Sequence, residues 1–198
     1  MKLIIPFIVF IILLVNSRSD AGDVVINEIL YDPEGADKGC FVELFGEPDL
    51  KLDNYRLVGV NGDKGQTYGE IKLSGYRISS DGFFVIAQDK SVLNADMIDS
   101  SADYQNGPDN IELWGIDKKV DAVGYGDFTN ATFTGEGTPT LDLSGYSIGR
   151  RKDGFDSNDN SVDFVGLALP SPGRPNWPGV AVERKAKLAF VWGSIKGN

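Results

Sequence analysis

The chain of 198 residues contains no histidine and a single cysteine, Cys40. The missing imidazoles exclude a Ser-His-Asp triad, a Cys-His dyad, a histidine-ligated zinc ion and a histidine general base. One cysteine excludes a disulfide within the chain and any cysteine-rich metal site. Because Cys40 begins an apolar segment, we expect it to be a small buried side chain; the alternative is a thiol that pairs with another chain.

Basic residues are scarce relative to acidic ones, with 19 Lys and Arg against 29 Asp and Glu and a formal net charge of −10. The imbalance is concentrated in residues 22–179, which hold 13 basic and 27 acidic residues and carry −14, whereas residues 180–198 carry +3. Contact with phosphates needs clustered cations. Nucleic-acid binding is therefore not expected of this acidic body.

The longest uncharged apolar run is residues 3–15, which follow Lys2. This run falls within the ~7–15 residues of a signal-peptide core and is shorter than the ~20 needed to span a bilayer. Ser17, Ser19 and Ala21 supply small residues for cleavage. We predict a secretory signal peptide over residues 1–21 and an extracytoplasmic location, secreted, periplasmic or at the cell surface. The alternative is a retained anchor, and an uncleaved signal segment is the one membrane contact that we expect.

The body of the chain has the pattern of an all-β protein, because short runs of β-branched and aromatic residues alternate with turn dipeptides such as Asn61-Gly62 and Asp153-Gly154. Trp114, Tyr125, Phe83 and Phe84 fall at strand positions, where core packing is expected rather than ligand stacking. Residues 83–87 are apolar on both faces, which predicts a central strand covered on both sides. About nine strands favour a β-sandwich, with a barrel as the competitor. The predicted strands are residues 24–30, 40–45, 55–60, 67–73, 83–87, 110–114, 120–125, 146–150 and 163–167.

Several motifs, taken in order, resemble those of the lamin-tail domain found on secreted and surface proteins of prokaryotes. The resemblance covers about residues 23–176. Its motifs are V-I-N-E-I-L-Y-D-P at 25–33, F-V-E-L at 41–44, D-G-F-F-V-I-A at 81–87, Q-N-G-P-D at 105–109, D-A-V-G-Y-G at 121–126, G-Y-S-I-G-R at 145–150, the run from Asp153 to Phe164, and P-S-P-G-R-P-N at 170–176.

The resemblance implies an immunoglobulin-like β-sandwich and a non-catalytic module for attachment or recognition. The chain departs from the family in two places. Residues 45–48, Phe-Gly-Glu-Pro, replace the usual Asn-Pro turn, and the C-terminal tail has no counterpart within the domain. Neither departure affects the expected fold.

One loop is rich in the oxygen ligands that Ca²⁺ prefers. Its spacing departs from an EF-hand, because a loop that starts at Asp156 has Ser161 at the glycine position and Leu167 at the twelfth. Asx side chains also form turns by binding nearby backbone N–H groups, and we prefer that role to a metal site. No cofactor other than Ca²⁺ is suggested. The candidate ligands are Asp153, Asp156, Asn158, Asp159, Asn160 and Asp163.

Glu28 and Glu43 are the acids to consider for catalysis, because each interrupts an apolar strand and the two could share a sheet face. Strand alternation by itself places such carboxylates on the solvated face, which is the preferred interpretation. We therefore expect no catalytic residue. Serine hydrolysis is excluded, since the chain has no histidine to act as the base.

Residues 177–198 follow a proline-rich break and form a basic, apolar tail. This tail is expected to be an extra edge strand, a frayed terminus or a segment that binds a partner. The preferred function is an exported, non-catalytic binding or structural module at the cell surface or in the periplasm, whose partner is a protein or a surface polymer. The alternative is a calcium-stabilised carbohydrate- or polymer-binding module, and a metal-assisted hydrolase using Asp and Glu is the least favoured.

Overall fold

The computed structural model describes residues 24–35 and 38–177. The predicted signal peptide lies outside the described residues, as does all of the predicted tail except Trp177. No helix within the described ranges is long and apolar enough to cross a membrane. The elements are β1 (Val24–Leu30), β2 (Phe41–Gly46), β3 (Arg56–Asn61), β4 (Thr67–Lys72), β5 (Phe83–Ala87), β6 (Met97–Ile98), β7 (Asp109–Trp114), β8 (Lys119–Tyr125), β9 (Ser147–Arg150), α1 (Asn160–Asp163) and β10 (Phe164–Leu167).

The strands form two sheets, one ordered β10-β9-β1-β2-β5-β6 and the other β4-β3-β7-β8. Every neighbouring pair is antiparallel except β5 and β6, which are parallel. The prediction of an all-β sandwich is confirmed, and each of the nine predicted strands agrees with an observed one to within a residue at either end. The sequence pattern missed β6, because two residues are too short to show an alternation.

The core lies between the sheets and follows the period of two expected of strands with one inward face. Val42 and Leu44 of β2 and Ile111 and Leu113 of β7 are completely buried. Phe84 and Ile86 of β5 join the same core, so alternation correctly predicted the inward residues of these strands.

The outer face of β5 is covered as well, as predicted. Val85 and Ala87 pack with Phe41 beneath Val92 and Ala95 of the segment that leads to β6. The strand lies second from the edge rather than at the centre of the sheet. Cys40, just before β2, is fully buried as predicted, and its Sγ lies 3.4 Å from the carbonyl oxygen of Tyr31.

A β-bulge interrupts β1 at Asn27. Ile26 pairs with Leu44 and Glu28 pairs with Glu43, so Asn27 is an extra residue on its strand. Ile26 and Ile29 both reach the core, and the two residues between them face outward together. The bulge therefore places Asn27 and Glu28 side by side on the outer face of the six-stranded sheet.

Candidate functional site

Arg150 lies at the end of β9, and its guanidinium group is completely buried. Nε donates to the carbonyl oxygen of Ile26 at 2.8 Å, and Nη1 donates to that of Phe155 at 2.8 Å. The ring of Phe164 lies 4.7 Å from the guanidinium carbon, within the range of a cation–π contact. Arg150 therefore joins β1, β10 and the loop before α1 at one end of the sandwich.

Three carboxylates from different segments surround this guanidinium. Asp121 of β8 lies 3.0 Å from Nη2, and Asp163 at 3.1 Å and Asp156 at 3.4 Å accept from Nη1. Burial alone would lower the pKa of Arg150, but the neighbouring carboxylates raise it, so the guanidinium stays charged. A fourth acid, Glu136, belongs to the connection between β8 and β9. Arg150, Asp121, Glu136, Asp156 and Asp163 together are called the Arg150 cluster below.

The structure distributes the predicted calcium ligands over several roles. Besides binding Arg150, Asp163 accepts from the backbone N–H and hydroxyl of Ser157 at 2.9 and 2.7 Å, and Asp156 accepts from the N–H of Asn158 at 3.0 Å. Asn158 is exposed and adopts a positive φ of 59°. Asp156 and Asp163 therefore meet around a guanidinium, and Asp156 also forms an Asx turn with Asn158.

The remaining predicted ligands point elsewhere. Asp153 accepts from Asn27 Nδ2 at 3.0 Å and from the N–H of Asn176 at 3.1 Å, on the outer face of the six-stranded sheet. Asp159 caps α1 by accepting from the N–H of Ser161. The group of acids whose carboxylate oxygens come within 4.8 Å of one another is Asp121, Glu136 and Asp156, of which the sequence analysis proposed only Asp156.

Asn160 closes the free edge of β8 with its side chain. Nδ2 donates to the carbonyl oxygen of Ala122 at 2.9 Å, and Oδ1 accepts from the N–H groups of Gly124 at 2.9 Å and Glu136 at 3.0 Å. One buried amide thus takes the place of a neighbouring strand and also binds the connection between β8 and β9. Thr140 of that connection completes the edge through hydrogen bonds with Gly124 and Gly126.

Replacing Asn160 by alanine should lower the free energy of unfolding by about 3 kcal/mol, because three buried backbone groups lose their partner. Urea unfolding followed by circular dichroism measures the change. Asn130→Ala, in an exposed turn of the same connection, is the matched control and should leave stability within about 0.5 kcal/mol. Equal stability of the two variants would show that the Asn160 side chain does not hold the edge.

A second buried set of carboxyls lies on the outer face of the six-stranded sheet. Glu28 and Glu43 are a directly opposed pair on β1 and β2, and neither is exposed. The expectation that strand alternation leaves them solvated is wrong. They are covered by residues 170–176, called the strap below, which carry the P-S-P-G-R-P-N motif.

The strap is held mainly by these acids. Glu28 accepts from the N–H of Ser171 at 3.1 Å and from its hydroxyl at 2.9 Å, and Glu43 accepts from the N–H of Gly173 at 2.7 Å. Asn176 donates from Nδ2 to the carbonyl oxygens of Asn27 at 3.2 Å and Arg150 at 3.0 Å. The strap is therefore fastened to β1 and β2 by side chains, without a β ladder.

Burial changes the acidity of this pair. It raises the pKa of Glu43 to about 8, assisted by the charges of Glu28 and Asp153 and opposed by hydrogen bonds from Asn27 and Gly173. The pKa of Glu28 is also raised by burial, against hydrogen bonds from Ser147 and Ser171. Glu43 could therefore donate or accept a proton near neutral pH, but the strap lies between it and solvent.

The outer face of the four-stranded sheet carries an open, shallow groove of about 400 Å³. Trp114 is half-buried there rather than in the core, and its Nε1 donates to Glu112 at 2.7 Å. The Arg56 guanidinium carbon lies 5.3 Å from the Trp114 ring centroid, and its Nε lies 3.8 Å from Glu70. This sheet-face groove is lined by Arg56, Val58, Thr67, Tyr68, Gly69, Glu70, Glu112 and Trp114.

Sequence reasoning did not identify Arg150, Asp121 or Glu136. Arg150 precedes Arg151 and Lys152, a run that has the appearance of a solvated basic patch. Asp121 was detectable, because it shares the strand parity of Val123 and Tyr125, both of which face the core. Glu136 lies in an irregular connection, where no periodicity indicates which side chains are buried.

No family model, no curated protein and no solved structure matches this chain. The chemical capacity of the molecule therefore has to be derived from its own geometry. One set of acids is buried beneath the strap, a second is buried beneath the connection between β8 and β9, and the sheet-face groove is open to solvent. A substrate would reach the buried acids only after one of these coverings moved.

Proposed function

We propose that this chain is an exported, non-catalytic domain of the lamin-tail type that serves as a binding or structural module at the cell surface or in the periplasm. The proposal of export is based on the predicted signal peptide, and the proposal of the family is based on the eight ordered motifs. Support for a non-catalytic role comes from where the polar residues of those motifs lie. They hold parts of the domain together.

Polar residues of the motifs lie where separate segments of the fold are held together. The first supplies Asn27 and Glu28, and the second supplies Glu43, which together bind the strap. Other motifs supply Asp121 and Arg150, which pair across the two sheets at 3.0 Å. A hydrolase needs carboxyls that reach its substrate. Here Glu28 and Glu43, whose pKa values are raised, bind backbone groups of the strap instead, which favours a scaffold whose surface does the binding.

The sheet-face groove favours a polymer, rather than a protein, as the partner of this binding module. It combines a half-buried indole ring with a guanidinium and two carboxylates, so it offers both an apolar surface and hydrogen-bonding groups to a ligand. Ligand sites commonly pair apolar and aromatic surface with a few polar groups in this way. A surface polysaccharide of the cell envelope fits the predicted location.

Trp114→Ala should weaken polymer binding about tenfold or more, because tryptophan is the largest side chain that lines the groove. The mature chain, residues 22–198, is incubated with insoluble peptidoglycan, chitin or cellulose, and the bound fraction is measured by co-sedimentation. The wild-type protein should sediment with at least one of these polymers.

The matched control is Trp177→Ala, which removes the same side chain from an exposed position outside the groove. This variant should bind as the wild type does. Loss of binding in Trp177→Ala alone would assign the interaction to the C-terminal tail. If the protein sediments with none of these polymers, polymer binding is contradicted. A protein would then be the remaining candidate for the partner.

A further inference from the structure

Two acceptor oxygens of the Arg150 cluster are buried without a donor. Oδ1 of Asp121 and Oε2 of Glu136 are both buried and, among the described residues, have no hydrogen-bond partner. A carboxylate oxygen of Glu136 lies within 4.8 Å of one of Asp121, and, besides burial, a hydrogen bond between the two side chains contributes to the raised pKa of Glu136. Two ionised carboxylates in such a position would repel each other and leave lone pairs unsatisfied, so the site requires a proton or a cation between them.

The charges around Glu136 favour a proton. Asp121 faces it from β8, Asp156 from the loop before α1 and Arg150 from β9. Arg150 lies 3.0 Å from Asp121 and 3.4 Å from Asp156, so a divalent ion bound by these acids would be placed next to a guanidinium.

The other acids nearby are already engaged. Asp163 binds Nη1 of Arg150 at 3.1 Å, and Asp159 accepts from the N–H groups of Thr138 and Ser161. Four carboxylates of the Arg150 cluster thus surround a single cation, and one bound proton would reduce the excess of negative charge.

Two hydrogen bonds with Asn160 fix the backbone of Glu136 at a position from which its side chain can share that proton with Asp121. The N–H of Glu136 donates to Oδ1 of Asn160 at 3.0 Å, and its carbonyl accepts from the N–H of Asn160 at 3.0 Å. The side chain is half-buried and directed into the Arg150 cluster. Glu136 is therefore the point at which the connection between β8 and β9 contacts the charged interior.

We propose that Glu136 is protonated and donates its proton to Asp121, so that this shared proton fastens the connection between β8 and β9 and makes its attachment sensitive to pH. Loss of the proton places a fourth negative charge against Asp121 and Asp156. The connection is then pushed away from the edge of β8, to which it is held by Asn160 and by its own Thr140.

The direction of the pH effect follows from the acidity of Glu136. Burial first, and then the charges of Asp121 and Asp156, raise its pKa to about 8, against the opposing effect of Arg150. In the unfolded chain the same group titrates near its ordinary value of 4.5. The folded state thus holds one more proton between these two values, and the contribution of Glu136 to stability declines as the pH rises from 4.5 to 8.

The direct test is a titration of the wild-type chain, residues 22–198, in which the side-chain carboxyl carbon of Glu136 is followed by NMR. We expect its chemical shift to change above pH 7, at least two pH units higher than for an ordinary glutamate. A midpoint near the ordinary value would overturn the proposal, since the carboxyl would then be ionised at neutral pH.

Glu136→Gln provides the second measurement, because an amide can donate to Asp121 without titrating. The decrease in Tm between about pH 5.5 and about pH 8.5 should be smaller in this variant than in the wild type by roughly 5 °C or more. Glu34→Gln, an exposed glutamate outside the Arg150 cluster, should reproduce the wild-type decrease. If the Tm of Glu136→Gln decreased over this pH range as much as that of the wild type, the result would contradict the shared proton.

Melting with excess Ca²⁺ and with chelator separates a proton from a metal ion. The proposal expects the two curves of the wild type to coincide at neutral pH. A higher Tm with Ca²⁺ in the wild type but not in Glu136→Gln would show that a cation occupies the position and would overturn the shared proton.

Discussion

Arg150→Met should lower the free energy of unfolding by about 5 kcal/mol or more, enough to leave much of the protein unfolded at neutral pH. The variant keeps Asp121, Asp156 and Asp163 buried but removes the cation that they share. It also leaves the carbonyl oxygens of Ile26 and Phe155 without their donor. Breaking a buried ion pair from one side is costly because the partner charges remain in a medium of low polarity.

Arg151→Met is the matched control, since the neighbouring side chain is exposed and makes one hydrogen bond, to the carbonyl oxygen of Val162. Its stability in urea should stay within about 0.5 kcal/mol of the wild type. Equal unfolding curves for the two variants would show that Arg150 does not hold this end of the sandwich.

Strand positions could be predicted because the short strands of this chain alternate and are separated by turn residues. Residues such as Ile111 and Leu113, on either side of Glu112, fix the inward face of β7 without reference to the rest of the molecule. The two-residue strand β6 has no such internal pattern. β6 forms because the segment after β5 lies against β5. The N–H groups of Asp96 and Asp99 donate to the carbonyl oxygens of Val85 and Ala87.

The buried acids of the outer face could not be predicted from strand alternation. A bulge at Asn27 shifts the register by one residue, which turns Asn27 and Glu28 outward together. Alternation then describes only which face a residue occupies. Whether that face is solvated depends on the strap, which is more than 120 residues away in sequence.

The Asx-rich loop shows the same limit for the site. Its composition predicted oxygen ligands, and Asp156 and Asp163 do converge on one positive charge. That charge belongs to Arg150, in a run of basic residues that offers no sign of burial. A sequence pattern can identify a group of acids, but the cation that they surround depends on the fold.

Stability should fall as the pH rises from about 5 to about 8, and Glu43 should account for a large part of the loss. Burial raises its pKa from 4.5 to about 8, so the folded state retains a proton that the unfolded chain has released. Each pH unit in this interval removes about 1.4 kcal/mol per such group, which amounts to about 4–5 kcal/mol over the whole range. Urea unfolding at several pH values measures the slope.

Glu43→Gln should flatten this dependence, because the amide does not titrate. The amide keeps one acceptor oxygen, so only one of the donors Asn27 Nδ2 and the Gly173 N–H retains a full partner, and the variant should be about 1 kcal/mol less stable near pH 5. Near pH 8, where ionised Glu43 would face Glu28 and Asp153, the variant should equal or exceed the wild type. The two stability curves are thus expected to cross, while Glu47→Gln, at an exposed position, follows the wild type throughout. Parallel curves for Glu43→Gln and the wild type would mean that Glu43 is already ionised beneath the strap, and that the hydrogen bonds from Asn27 and Gly173 outweigh the cost of its burial.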